Sequence, residues 1–204
     1  MKATRSLVVM KFGGTSLETP ARIRRAARRI VRARRAGQGV VAVVSARGQA
    51  TDELLAAAAQ VSLKGGDPPA REVDQLLATG EQASAALVAM AVRAAGCPAV
   101  SLTAHQIGIL TDDTHRAAKI RAIDPRPIRR HLRRGEVVVV TGFLAVDAAG
   151  DVTTMGRGAS DKSAVVLAAV LKASRCEIYT DVKGVYTADP RVVPDARRIP
   201  ALSH

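Results

Sequence analysis

Aromatic side chains are scarce in this chain: two Phe, two Tyr and no Trp among 204 residues. A single-strand nucleic-acid platform stacks bases on exposed rings, and so few rings give little to build one from. Cysteine is as rare. Cys97 and Cys176 stand apart with no C-x-x-C pair, which reads as two free thiols in a cytoplasmic chain rather than a disulfide framework. His105, His115, His131 and His204 show no metal-ligand spacing, so no structural zinc is expected. No apolar run approaches the ~18 residues that span a membrane, and the apolar stretch near the N-terminus is too short for a secretory signal. The common phosphate loop, G-x-x-x-x-G-K-[ST], is missing. Acidic residues are outnumbered, 18 against 31 basic ones, for a net charge of +13.

Much of that charge sits in two segments. Residues 22–35 hold eight arginines, and residues 115–134 hold seven arginines and Lys119. Such charge attracts nucleic acid or acidic partners. In the first segment, however, Ile23, Ala26, Ala27, Ile30 and Val31 fall on one helical stripe with arginines around the rest. That is the pattern of a solvated amphipathic helix, and nucleic-acid binding is not the expected function.

The rest of the chain is rich in what builds a core: 48% of residues are apolar. Buried β-type runs are expected at 7–11, 40–45, 99–102, 137–141 and 177–180. Helices are expected at 20–36, 51–61 (with Thr51 as a possible N-cap), 71–95, 128–134 and 161–172, and short strands and turns at 105–125. Continuous apolar strands separated by helices predict a largely parallel sheet covered on both faces, in one domain.

In open α/β sheets, ligands gather beyond the carboxyl ends of the strands. Those ends carry Lys11, Gly13, Gly14, Thr15 and Ser16 after the first strand, Ser45 to Gly48 after the second, Gly142 and Phe143 after 137–141, and Asp181 to Gly184 after the last. Paired glycines let a ligand approach the backbone closely, and the lysine beside them adds positive charge, so an anion is expected there. In residues 153–163, Gly156 and Gly158 precede a helix start whose unpaired N–H groups also favour anions. Arg157 can grip a carboxylate or phosphate bidentately. Asp161 can bind an ammonium or magnesium, and Ser160 or Asp161 can cap the helix.

Taken together, "KFGGTS", "VVSARGQATDEL", "LLATGEQASAALVA", "ILTDDTH", "VVTGF", "TTMGRGASDKSA" and "IYTDVKGVYTADPRVVPDAR" resemble the aspartate kinases of the amino-acid kinase superfamily, in family order and spacing, over almost the whole chain. The resemblance implies a three-layer αβα sandwich around a mainly parallel sheet. It also implies transfer of the ATP γ-phosphoryl to the β-carboxylate of L-aspartate or a similar amino-dicarboxylate, with Mg²⁺, at the entry to lysine, threonine, methionine and diaminopimelate synthesis. By motif, Lys11 and Asp161 are the implied catalytic residues. Lys11, Gly13, Gly14, Thr180, Asp181, Tyr186 and Arg191 are the implied nucleotide residues. Ser45, Glu81, Arg157, Ser160 and Asp161 are the implied acceptor residues, with no protein metal ligands assigned.

Several positions depart from the family pattern: Arg47, Gln49, Gln82, Leu144, Ala145, Ala159 and Lys162. Ala159 matters most if its position needs positive φ. Residues 1–204 are expected to form a single kinase domain, incomplete at its C-terminal end relative to the family and without regulatory ACT domains. Homo-oligomerisation or completion by another chain is expected. The alternative reading is a non-catalytic or partner-dependent relative that binds nucleotide or amino acid, or one that takes a different carboxylate.

Overall fold

The structure, a computed structural model, describes residues 6–62, 66–156, 158–180, 184–190 and 192–201. In chain order the elements are β1 (Leu7–Phe12), a 3-10 turn (Gly14–Leu17), α1 (Pro20–Arg35), β2 (Gly39–Val44), α2 (Ala50–Val61), α3 (Ala70–Ala94), β3 (Ala99–Leu102), α4 (Ala104–Ile107), β4 (Ile109–Thr111), β5 (Ile120–Ile123), α5 (Arg126–Arg133), β6 (Val137–Thr141), β7 (Leu144–Val146), β8 (Val152–Thr154), α6 (Ala159–Leu171) and β9 (Arg175–Tyr179). Five strands form an all-parallel sheet in the order β3-β6-β2-β1-β9. Parallel neighbours need crossovers, and the intervening helices cover both faces.

The two-residue period of a strand divides the core. On β1, Val8, Met10 and Phe12 point to the face covered by α1 and α3, with Ile23, Ile30, Val88 and Val92. Val9 joins Val41, Val43, Ile128 and Leu167 on the face covered by α5 and α6. β2 and β6 bury every residue, and each such valine contributes roughly 1.5–2 kcal/mol of transfer free energy. The expected three-layer αβα arrangement with a mainly parallel central sheet is therefore present.

The arginine-rich α1 buries the stripe Ile23, Ala26, Ala27, Ile30 and Val31 and turns most of its guanidinium groups outward. Arg34 Nε donates to the Gly135 carbonyl at 3.1 Å and Arg35 Nη2 to the Ala95 carbonyl at 3.1 Å, so part of the charge also ties α1 to the loop before β6 and to the end of α3. No helix among the described residues is long and apolar enough to cross a membrane.

Three expectations need correction. The short strands expected within 105–125 are present as β4 and β5, but β7 and β8 were not expected, nor was a second sheet. β5-β4-β7-β8 form a second, mixed sheet of four strands. Its strands are three or four residues long, too short for a period to show in sequence. Thr51 is not an N-cap: α2 begins at Ala50 after Gln49, and Thr51 lies inside the first turn. Neither Ser160 nor Asp161 caps α6, because Gly158, at φ 77°, occupies that position.

The family departures at β7 are packing choices. Leu144 and Ala145 are fully buried on opposite faces of that strand. Ala159 is the first residue of α6, and positive φ is not required of it.

Candidate acceptor and phosphate site

Because β1 alternates, Lys11 leaves the sheet on the α6 side, opposite Phe12. There its Nζ meets Asp161, in the first turn of α6, at 2.7 Å. Gly13 follows the strand, and an added Cβ there would stand 3.4 Å from Lys11 Nζ, so the glycine keeps space clear beside the ammonium. Gly14 permits a closer approach. A Cβ there would lie 2.7 Å from the Ala46 carbonyl oxygen, and its own carbonyl accepts the Gly48 N–H at 3.0 Å. The loops after β1 and β2 are thus pressed together by a residue without a side chain.

Glu81 lies on the core-facing stripe of α3 with Asp74, Leu77, Ala78, Ser84, Ala85 and Val88. A carboxyl group on such a stripe must be buried, and Glu81 is 3% exposed. Its Oε1 accepts the Ala46 N–H at 3.2 Å, while Oε2 has no partner among the described residues. Burial pushes its pKa up to about 7, against the lowering effect of the Ala46 hydrogen bond. A buried, half-satisfied carboxyl facing a cavity is suited to receive a cation.

Lys11, Ser45, Glu81 and Ser160 line one cavity of about 330 Å³ beyond the carboxyl ends of the central strands. Thr51, Asp52, Leu55, Leu77, Arg116, Phe143, Thr154, Gly156 and Gly158 complete its wall. Four of the expected acceptor or phosphate residues are therefore brought together, and Asp161 is tied to them through Lys11. At the far side, Gly142 lets β6 run close under α6, since a Cβ there would lie 2.8 Å from Ser160 Cβ. The start of α6 then presents its positive dipole end to the cavity.

Thr180 lies elsewhere. It lines a neighbouring groove of about 270 Å³ on the α1 side, with Thr15, Ser16, Arg22, Arg29 and Tyr179. Tyr186 forms an antiparallel bridge with Arg198 and is not part of the cavity wall. Arg157, Asp181 and Arg191 lie outside the described residues.

Sequence reasoning missed Thr51, Asp52, Thr154 and Arg116 as wall residues. Thr51 carried a signal, a hydroxyl one turn into a helix that follows a strand end, but it reads equally well as a cap. Thr154 and Arg116 depend on how the smaller sheet is assembled, which the short strands expected at 105–125 do not reveal.

A buried hub holds that side of the cavity. Asp74, fully buried, accepts the Arg116 N–H (3.0 Å), the Thr154 N–H (3.0 Å) and the Thr154 hydroxyl (2.7 Å), and pairs with His115 Nδ1 (2.9 Å). Nearby, His115, Asp147 and Asp151 place ligand-type atoms within 4.8 Å of one another. Their carboxylates are already engaged: Arg71 donates twice to Asp151, at 2.8 and 2.5 Å, and Asp147 Oδ1 accepts the N–H groups of Ala149 and Asp151.

Residues 6–204 match the amino acid kinase family. The chain belongs to that family. It is 52% identical over 199 residues to the aspartokinase of Corynebacterium glutamicum, covering 97% of this chain and 47% of that protein. Among solved structures it is similar to the aspartate kinase of Synechocystis, with a TM-score of 0.82 and 47% identity over 94% of this chain and 31% of that one. It is also similar to aspartokinase III of E. coli in complex with aspartate and ADP, with a TM-score of 0.81 and 26% identity over 95% of this chain and 53% of that one. The chain spans about half the length of the curated relatives it matches.

Proposed function

We propose that this chain provides the phosphoryl-transfer and acceptor site of an aspartate kinase, moving the γ-phosphoryl of ATP to the β-carboxylate of L-aspartate. One observation carries the reading: Lys11, Ser45, Glu81 and Ser160 line a single cavity, with Lys11 paired to Asp161 at its edge. The half-length similarity to aspartokinases, one of them holding aspartate and ADP, supports the same chemistry.

Phosphoryl transfer asks the protein for positioning and charge stabilisation rather than a covalent nucleophile. A carboxylate oxygen of the acceptor attacks the γ-phosphorus as the bond to the leaving diphosphate breaks. Lys11 neutralises charge on the moving group, and Gly13 and Gly14 admit phosphate oxygens against the backbone. The N-terminal turn of α6 faces the same charge. Glu81 receives the acceptor ammonium on its unpaired oxygen. Ser45, Thr51 and Ser160 offer hydroxyls to the acceptor, and Arg157 its guanidinium. Thr180, Asp181, Tyr186 and Arg191 are assigned to the nucleotide by motif. Mg²⁺ carried on the triphosphate would share the neutralisation with Lys11, and Asp161, half exposed beside that ammonium, is a carboxylate that fits it. In a cell the product would enter lysine and threonine synthesis.

A second reading is a subunit that needs another chain for turnover. It is favoured by β9, which among the described residues is an edge of the central sheet and whose Ile178 is 44% exposed. Trapping the acyl phosphate with hydroxylamine, in the presence of ATP, Mg²⁺ and L-aspartate, tests the first reading. Hydroxamate is the expected result. Thermal stabilisation by aspartate or ATP without hydroxamate would favour the second. Folded protein that shows neither would overturn both.

A further inference from the structure

Phe143, in the turn directly after β6, has a left-handed backbone, φ 66°. A bulky residue in that conformation is strained and persists only where its surroundings hold it. Three hydrogen bonds do so. The Gly142 N–H donates to the Val44 carbonyl at 2.8 Å, the Met155 N–H to the Phe143 carbonyl at 3.0 Å, and the Phe143 N–H to Ser163 Oγ at 3.0 Å. The last of these ties the turn to α6. Ser163 is buried, and its hydroxyl has a single proton, which it donates to the Ala159 carbonyl one turn back at 3.0 Å. Its lone pairs are left to receive the Phe143 N–H. Ser163 is not part of the cavity wall, but both pieces that it joins lead there. Phe143 lines the cavity, and the first turn of α6 carries Ser160, which also lines it.

Leu55, Leu77 and Phe143 supply the large apolar side chains among the described wall residues, and Phe143 packs with Leu77 and Met155 in a buried cluster. An acceptor is held in this cavity at fixed points, its ammonium at Glu81 and its reacting carboxylate beside Lys11. A rigid apolar wall then limits the length of carbon chain that fits between those points. We propose that Ser163 is a positioning residue for the acceptor: it holds Phe143 in the strained turn, and the wall so placed makes the cavity select a four-carbon amino-dicarboxylate over a five-carbon one. The inference rests on the carboxylate-kinase reading above. A pocket without room for one extra methylene discriminates by about 10–200-fold, and a wall that can move discriminates less.

The test is Ser163→Ala, which removes the acceptor of the Phe143 N–H, beside Ser163→Thr, which keeps the hydroxyl. Preference is read as the ratio of kcat/KM for L-aspartate to that for L-glutamate in the hydroxamate assay, and as the ratio of their affinities by calorimetric titration. Wild type should prefer aspartate by about tenfold or more. Ser163→Ala should lower that preference about threefold or more while KM for ATP stays within about twofold, and Ser163→Thr should restore it. A merely structural serine would lower the melting temperature and leave the ratio alone. A smaller change of preference in Ser163→Ala, whatever its melting temperature, would therefore overturn the inference, as would a wild type that takes both acids equally. Should Ser163→Ala not fold, Phe143→Leu keeps the Ser163 hydrogen bond and shortens the side chain. It should lower the preference by the same margin, and an unchanged ratio there would overturn the inference. Wild-type protein that neither binds nor phosphorylates either acid would instead overturn the carboxylate-kinase reading, and the inference with it.

Discussion

Strand β6 of the central sheet buries all five of its residues, whereas β5 of the smaller sheet leaves two of its four exposed. The larger sheet is a stack of continuous apolar runs whose ends deliver Lys11, Gly13, Gly14 and Ser45. The smaller one is a set of short strands that bury a few apolar side chains, such as Leu144 and Val152, and are also held by polar contacts, such as Thr111 to Thr153 at 2.7 Å, and by the Asp74 hub. It delivers Thr154, Phe143 and the segment bearing Arg116. One wall of the cavity is thus fixed mainly by hydrophobic burial, and the other by a smaller apolar cluster together with buried hydrogen bonds. The two should fail in different ways.

The largest expected effect is on the central-sheet wall. Lys11→Ala removes the ammonium nearest the proposed transfer. It should lower kcat at least ~10³-fold, about 4 kcal/mol of transition-state stabilisation. Its fold should survive, because neighbouring strand residues carry the core. Retention of wild-type turnover in the hydroxamate assay would remove Lys11 from the chemistry and with it the central wall's assigned part.

The next effect breaks the other wall. Asp74→Ala leaves the N–H groups of Arg116 and Thr154 and the Thr154 hydroxyl without their acceptor in a buried place. Losing a buried carboxylate with this many partners should cost about 3–4 kcal/mol in denaturant unfolding. The same change should raise KM for aspartate, because the Arg116 segment loses its anchor. A loss below about 1 kcal/mol would mean that the smaller sheet is held by something other than this hub.

The same contrast governs what could be read from sequence. The central strands were legible because parallel, doubly covered strands must be apolar throughout, and Val137–Thr141 and Ala99–Leu102 have the bounds expected of them. Lys11 and the glycines were legible because they stand directly after such a run. The smaller sheet was only half legible: short strands were expected where β4 and β5 lie, whereas Leu144–Val146 and Val152–Thr154 flank a turn and carry too few residues to show alternation. Asp74 was hidden for a related reason. A carboxylate within an otherwise apolar helical stripe looks like an exception until the backbone that it satisfies, 42 and 80 residues away, is folded against it. Arg116 looked like one more member of a basic cluster, and only its left-handed backbone, φ 68°, and its pinned neighbours separate it from the solvated arginines.

The smallest effect concerns Glu81, where the two walls meet, and it depends on pH. The folded chain holds this carboxyl with a pKa raised to about 7 by burial, above its ordinary value. The folded state therefore takes up this proton more readily than the unfolded one. The associated stability is fully present below the ordinary glutamate range and is lost as pH rises through about 7. Glu81→Gln has no proton to lose, so its stability relative to wild type should climb between about pH 5 and 8, by on the order of 2–3 kcal/mol. Binding should run the other way. An acceptor ammonium needs the ionised carboxylate, so wild-type KM for aspartate should fall as pH rises from 6 to 8, while Glu81→Gln should show a high and nearly flat KM. A wild-type KM that does not respond to pH across that range would mean that Glu81 does not face the ammonium, even if its burial keeps the stability profile as described.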